Sequence, residues 1–547
     1  MIKVSCLGAA GCVTGSNYLL ELNHDQKIMI DCGMFQGGRQ IEERNYKNWS
    51  FDPKQVHTLL VTHAHIDHIG RIPKLVKDGF RGKILTTSPT VELSRIMLLD
   101  SAHIQEMDAE WQNRKIKRKN HKGLVTPLYT TQDAQKSFSL FSAVERDTKI
   151  SVCPGIWARF RNAGHILGSS IIEVWVEDGD EKVKIVFSGD IGKNNQLIVK
   201  DPEVIRDADY VFIESTYGNR LHRSFEESKA EFVEAIEYAF SNREKVIIPA
   251  FAVERTQEIL YILGEYHRKG LLPNIPIYLD SPLAIGATEI FRKNQRFYDD
   301  AALEIVKNGN DPFDMPNLRF TETTRESEAI NHIDGPAIII AGSGMCTAGR
   351  IKHHLKHNLW RKGSSVIIVG YQASGTTGRM IVDGKKWVKI FWQNVAVRAR
   401  VFSVGGFSAH ADQDGLLEWL ANFTQARPRV FVMHGEPSVS EQFAALVKER
   451  LGFKAYVPRW KERLILSPKD VSMELFAEED AEETISQNML KAIGELEAEL
   501  QQLKSRIADA DAETKLTEED VDRLKFIQEE MQIVINTPEY ADSAGSA

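Results

Sequence analysis

The chain has 547 residues, of which 42% are hydrophobic and 26% charged, ordinary proportions for a folded protein of roughly two to four domains; a disordered, collagen-like or disulfide-scaffold protein is excluded. A formal charge of −8 gives no global attraction for polyanions, so any nucleic-acid surface must be local. Five scattered cysteines without a CxxC pair argue against a disulfide framework or a cysteine zinc site and predict a reducing, cytoplasmic setting.

In chain order, residues 1–13 read as a first strand and a glycine turn, and no apolar run reaches the length of a membrane helix, so no membrane partner is expected. Short β-rich runs follow at 18–22, 27–30, 58–62, 171–176 and 183–188, a spacing that suits antiparallel strands mixed with helices. From about 209 to 400 the rhythm becomes strand and helix in alternation. The runs 246–249, 275–279, 337–341 and 365–369 are continuously apolar, as parallel strands covered on both faces are. A helix over 414–423 and a strand over 429–433 come next.

A polar tail begins near Glu478. Met489, Ile493, Leu496, Leu500, Leu503 and Ile507 form a heptad seam, and 517–520 resembles a capping box opening a second helix. This tail is either a helical hairpin or a dimer-forming coiled coil.

The chemistry concentrates at strand ends. Directly after 58–62 comes His63-Ala64-His65-Ile66-Asp67-His68, three imidazoles and a carboxylate that can converge on metal. His165 lies in the glycine-flanked turn 163–169, Asp190 ends the strand 186–190, and His434 ends the strand 430–433. Each of these three alone is weak; with HxHxDH they form a set.

The order Asp31-Cys32-Gly33, HAHIDH, AGHILGS and FSGD resembles the metallo-β-lactamase superfamily. Glu214 in 212–218, His410 in 407–412 and His434 in 433–436 resemble motifs A, B and C of its β-CASP nucleases. The resemblance covers roughly 1–470. It implies an α/β fold: a metallo-β-lactamase αββα sandwich over 1–208 and 401–470, an inserted α/β β-CASP domain over 209–400, and a helical C-terminal extension over 471–547.

It further implies two Zn2+ per chain. His63, His65 and His165 would hold one, Asp67, His68 and His434 the other, Asp190 would bridge them, and Asp31 would orient ligand histidines from behind. Mn2+ and Fe2+ remain open by ligand chemistry. Asp67, Glu214 and His410 are the implied catalytic residues, with Glu214 holding His410 as general acid.

For substrate, the glycine-rich turn 341–350 with Ser343 and Gly344 could cradle a phosphate. Gln372, in 370–376, could meet a sugar or base, and Arg255 resembles a position facing the interdomain cleft. Arg114, Lys115, Lys117, Arg118, Lys119 and Lys122, beside Trp111 and Tyr129, form the one dense basic run and could guide a polyanion. His353, His354 and His357 lack a carboxylate nearby in sequence and read as helix-surface or cleft polar residues.

The implied function is zinc-dependent hydrolysis of RNA phosphodiester bonds, by internal or 5′ cleavage, with RNA as partner and a homodimer through the β-CASP surface or the tail. A DNA-directed β-CASP nuclease and a small-molecule hydrolase of the glyoxalase II or lactamase type are the alternatives. His434 at motif C favours RNA.

Overall fold

A computed structural model describes residues 2–22, 26–118, 124–179, 181–370, 372, 375–467 and 471–475. The tail from 476 to 547, with its heptad seam, lies outside the described residues.

Two sheets face each other. The first runs, strand by strand, Val471–Leu475, Glu462–Leu466, Ile2–Cys6, Tyr18–Leu22, Gln26–Ile30, Val56–Leu60, Lys83–Thr86 and Phe141–Ala143. It is antiparallel up to Gln26–Ile30 and parallel beyond. The second runs Ala455–Tyr456, Arg429–Met433, Tyr210–Glu214, Glu181–Phe187, Ser170–Asp178, Ile156–Asn162 and Ile150–Cys153.

Alternation along these strands drives the packing. Ile2, Val4, Leu20, Ile28, Ile30 and Leu60 from the first sheet meet Phe160, Val174, Ile185, Phe187, Phe212 and Phe431 from the second. The other face of the second sheet is apolar as well: Val186, Val211, Ile213, Val430 and Val432 pack under helices Gln413–Ala421 and Pro437–Leu446. This accounts for the continuously apolar run 430–433, which is covered on both sides.

A third sheet, wholly parallel, runs Leu318–Phe320, Ile277–Leu279, Ile338–Ala341, Val246–Pro249, Ser365–Ile368 and Arg400–Ser403. The expected insertion began at 209, but Tyr210–Glu214 pairs with Glu181–Phe187 and Arg429–Met433 and so is built into the sandwich. At the far end Arg400–Ser403 completes the inserted sheet by pairing with Ser365–Ile368. A buried apolar strand fits either sheet, and pairing decides between them.

Helix Ser88–Arg118, 31 residues long, starts beside the turn 163–169: the hydroxyls of Thr87 and Thr90 donate to Gly168 O at 2.7 and 3.1 Å. Among the described residues no helix is long and apolar enough to cross a membrane.

Candidate metal centre

Every strand that brings a site residue does so at its C-terminal end. Asp31 follows Gln26–Ile30, His63 follows Val56–Leu60, Asp190 follows Glu181–Phe187, Glu214 ends Tyr210–Glu214 and His434 follows Arg429–Met433. Strand ends from both sheets therefore converge on one edge of the sandwich. Close backbone approach holds the loops there: a β-carbon on Gly33 would stand 1.6 Å from Asp67 O, and one on Gly192 would stand 1.7 Å from Gly164 O.

His63 Nε2 and His165 Nε2 stand 3.1 and 3.2 Å from His65 Nδ1, and 3.4 and 3.6 Å from Asp190 Oδ2. On the other side of Asp190, Oδ1 lies 3.4 Å from His68 Nε2 and 3.8 Å from His434 Nε2. His434 Nε2 is also 3.2 Å from His68 Nε2 and 3.4 Å from Asp67 Oδ2. Two N or O ligands on one tetrahedral zinc, each at about 2.05 Å, stand ~3.3 Å apart. These separations are of the size expected between ligand atoms around a bound cation.

Two features of the cluster fit a cation. Asp190 Oδ1 is buried and accepts no hydrogen bond among the described residues. Burial and neighbouring imidazoles lower the pKa of His63, His65 and His165, with His65 near 3, which keeps their lone pairs free. Around His68 and His434 burial opposes charge, but Asp190 with Asp31 or Asp67 outweighs it and draws positive charge to that side. The molecule therefore holds a buried His/Asp metal-binding cluster.

The outer nitrogens are anchored. His68 Nδ1–H donates to Asp31 Oδ2 at 2.7 Å, and His165 Nδ1–H donates to Ala409 O at 3.3 Å. Thr62 Oγ1 lies 3.1 Å from His63 Nδ1 and donates to Asp31 Oδ2 at 2.8 Å, and Thr216 Oγ1 lies 3.2 Å from His434 Nδ1. Such contacts fix ring orientation and tautomer. Sequence reasoning found Asp31 but missed Thr62 and Thr216; their signals in the chain are the places of Thr62 directly before His63 and of Thr216 two residues after Glu214.

Beside the cluster, His410 Nδ1 sits 3.1 Å from both oxygens of Glu214, and Glu214 Oε1 accepts the Ile191 N–H at 2.7 Å. Burial disfavours charge on His410, yet the Glu214 carboxylate lifts its pKa to about 9.

Glu254 was not foreseen. It is buried at a left-handed φ of 68°, and its Oε2 accepts the Leu167 N–H at 2.9 Å, within the turn that carries His165. Gln196, close to the same carboxyl, donates from Nε2 to His165 O at 2.9 Å. Its neighbour Arg255 is buried too, its guanidinium bonded to Glu258.

In the glycine-rich turn, Ser343 Oγ lies 3.3 Å from Thr347 Oγ1, and Gly344 leaves room for the Phe251 ring, which a β-carbon would approach to 2.8 Å. Gln372 braces that turn: Nε2 donates to Gly344 O at 2.9 Å and to Gly370 O at 3.2 Å.

Two expectations need correction. His354 is no surface residue; it is fully buried, with Nε2 2.6 Å from Asp280 Oδ2, a carboxylate 74 residues away that no local reading could supply. Tyr129, expected beside the basic run as part of a surface guiding a polyanion, is buried instead, with its hydroxyl 2.9 Å from Ser101 Oγ. Of the basic run, Lys119 and Lys122 lie outside the described residues.

Comparison with known proteins agrees with this geometry. The chain matches the metallo-beta-lactamase superfamily over residues 10–86, the Beta-Casp domain over 256–381 and the Zn-dependent metallo-hydrolase RNA specificity domain over 394–458. It is 38% identical to Ribonuclease TTHA0252 of Thermus thermophilus, over 82% of this chain and 95% of that protein. It is 31% identical to an RNase J-like protein of Methanocaldococcus jannaschii, over 79% and 92%. With the transcription termination factor FttA of the same archaeon it shares 28%, over 84% and 70%.

Fold and site together define a metal-dependent hydrolase of the metallo-β-lactamase superfamily. Within that superfamily the chain belongs to the β-CASP ribonuclease family.

Proposed function

We propose that this protein is a two-zinc ribonuclease of the cytoplasm that hydrolyses RNA phosphodiester bonds. The observation that carries the reading is the pair of ligand sets that share Asp190: His63, His65 and His165 with Oδ2, and Asp67, His68 and His434 near Oδ1. The RNA-specificity description matched over 394–458 and the name ribonuclease of a 38% identical relative support RNA over DNA or a small molecule. Five free cysteines suit a reducing compartment.

Metal ions held by His63, His65, His165 and Asp190 and by Asp67, His68 and His434 would supply an acidified water as nucleophile and neutralising charge for the phosphoryl oxygens. The protein's own part is proton control and placement. Glu214 occupies His410 Nδ1, so Nε2 is the atom that hands a proton to the departing sugar oxygen. Asp31 and Thr62 keep the cluster's imidazoles in register. Ser343, part-buried with its hydroxyl beside Thr347, is the candidate in the glycine-rich turn to meet a substrate phosphate, while buried Gly344 and Gln372 shape that turn and Arg255, buried against Glu258, supports the elements behind it.

The test is digestion of one RNA, labelled separately at each end and carrying a 5′-monophosphate or 5′-triphosphate, by metal-analysed enzyme beside a DNA copy. Mononucleotide release that needs the monophosphate identifies 5′ exonuclease action, and end-independent fragments identify endonuclease action. Intact RNA in the presence of two bound metals overturns the reading.

A further inference from the structure

The hairpin formed by Trp387–Ile390 and Gln393–Ala396 turns through Phe391 and Trp392, at φ values of 49° and 66°. Two-residue turns with both residues left-handed suit Asn-Gly or Asp-Gly, so two aromatic residues there break the local rule. Burial does not repay it: Trp392 is 71% exposed and Trp387 59%. Conformations held against local preference cluster where function needs them.

What the turn gains is placement. The Trp392 ring lies parallel to that of Trp111 on the long helix, 10° between planes and 6.3 Å between centres. Phe391 packs on His353 at 4.5 Å, with Lys352 Nζ 4.9 Å from its centre, and Lys389 Nζ is 5.7 Å from Trp392. One helical turn past Trp111 comes Arg114, exposed and bonded to Glu110 at 3.1 Å, and Lys117 is exposed beyond it. Aromatic faces interleaved with cations thus cross from the sandwich to the inserted domain.

The helix links this strip to the metal centre. Thr87 and Thr90 touch the turn of His165, Glu92 accepts from Asn294 Nδ2 at 3.1 Å, and Ile96 faces Gly286 of the inserted domain. Trp111 follows Ser88 by 23 residues, about 35 Å along the axis.

We infer that Trp111, Phe391 and Trp392, with Lys352, Lys389 and Arg114, form a stacking platform for single-stranded RNA some ten nucleotides from the metal centre, at about 3.4 Å per stacked nucleotide. The inference rests on the ribonuclease reading above. Every base has a face to stack, so the platform binds without sequence preference and weakens with salt.

The test compares wild type with a W111A/W392A double variant on RNAs of about 20 and about 6 nucleotides that share a 5′ end. Both tryptophans are exposed, so the fold survives their loss. The platform predicts a roughly tenfold rise in KM for the long RNA at unchanged kcat, no change for the short one, and recovery by W111F/W392F. An unchanged KM for the long RNA, or equal losses on both RNAs, overturns it. So does a fall in mass by light scattering with RNA affinity intact, which would make the strip an interface between copies. If wild type cleaves neither RNA the ribonuclease reading fails on its own, and fluorescence anisotropy of the 20-mer on both proteins still decides the platform.

Discussion

His410 Nδ1 lies 3.1 Å from each carboxylate oxygen of Glu214, a two-oxygen grip that leaves only Nε2 to face substrate. His410→Ala should lower kcat by about 10²- to 10⁴-fold, the usual weight of a general acid, with metal content unchanged. Single-turnover cleavage and metal analysis on the same sample check it, and wild-type turnover would remove His410 from the mechanism.

Asp190 Oδ2 lies 3.4 Å from His63 Nε2 and its Oδ1 3.4 Å from His68 Nε2, so on the proposed two-metal reading it serves both sides. Asp190→Asn should therefore lose metal from both sides, whereas Asp31→Ala, which removes the acceptor behind His68, Thr62 and Ser16, should weaken metal affinity about 10- to 100-fold. Competition with a chelator, read as bound zinc per chain, separates the two.

Glu254 ties the inserted domain to the turn of His165 through the Leu167 N–H. Burial first, then Glu258, hold its carboxyl well above the ordinary value of 4.5, against the pull of Arg255 and the Leu167 N–H, with Tyr298 also nearby. The folded state therefore keeps a proton that the unfolded chain releases, and above pH 4.5 wild-type stability falls as pH rises, by up to about 1.4 kcal/mol per pH unit, until the native carboxyl titrates. Glu254→Gln lacks this penalty and still accepts from Leu167. Its melting temperature should pull ahead of wild type as pH rises from 5 to 8; parallel curves would contradict the assignment.

Asp280 is buried and accepts from Thr321, Ser327 and Arg350 at 2.8, 2.6 and 2.7 Å, with His354 at 2.6 Å. Asp280→Ala strands these donors and should cost about 3–5 kcal/mol by denaturant unfolding. Metal content of the folded fraction should not change.

The buried His/Asp cluster was legible in the chain because its residues travel in short strings at strand ends: HxHxDH alone supplies four of them. The parallel strands 246–249 and 365–368 were legible from unbroken apolar runs. What stayed hidden depends on partners far apart in sequence. His354 meets Asp280 across 74 residues and Glu254 meets Leu167 across 87, so local pattern reads each as an ordinary polar residue. The insertion boundary slipped because Tyr210–Glu214, buried throughout, suits either sheet. The turn at Phe391 and Trp392 carries none of the residues that normally announce one.

The most direct test of the central claim counts metal and cleavage together: zinc per chain by elemental analysis, and end-labelled RNA digestion, on wild type and Asp190→Asn. Two zinc ions per chain with RNA cleaved, and both lost in the variant, is the expected result. A wild type that holds two zinc ions and leaves RNA intact, or a variant that still cuts it, would contradict the account.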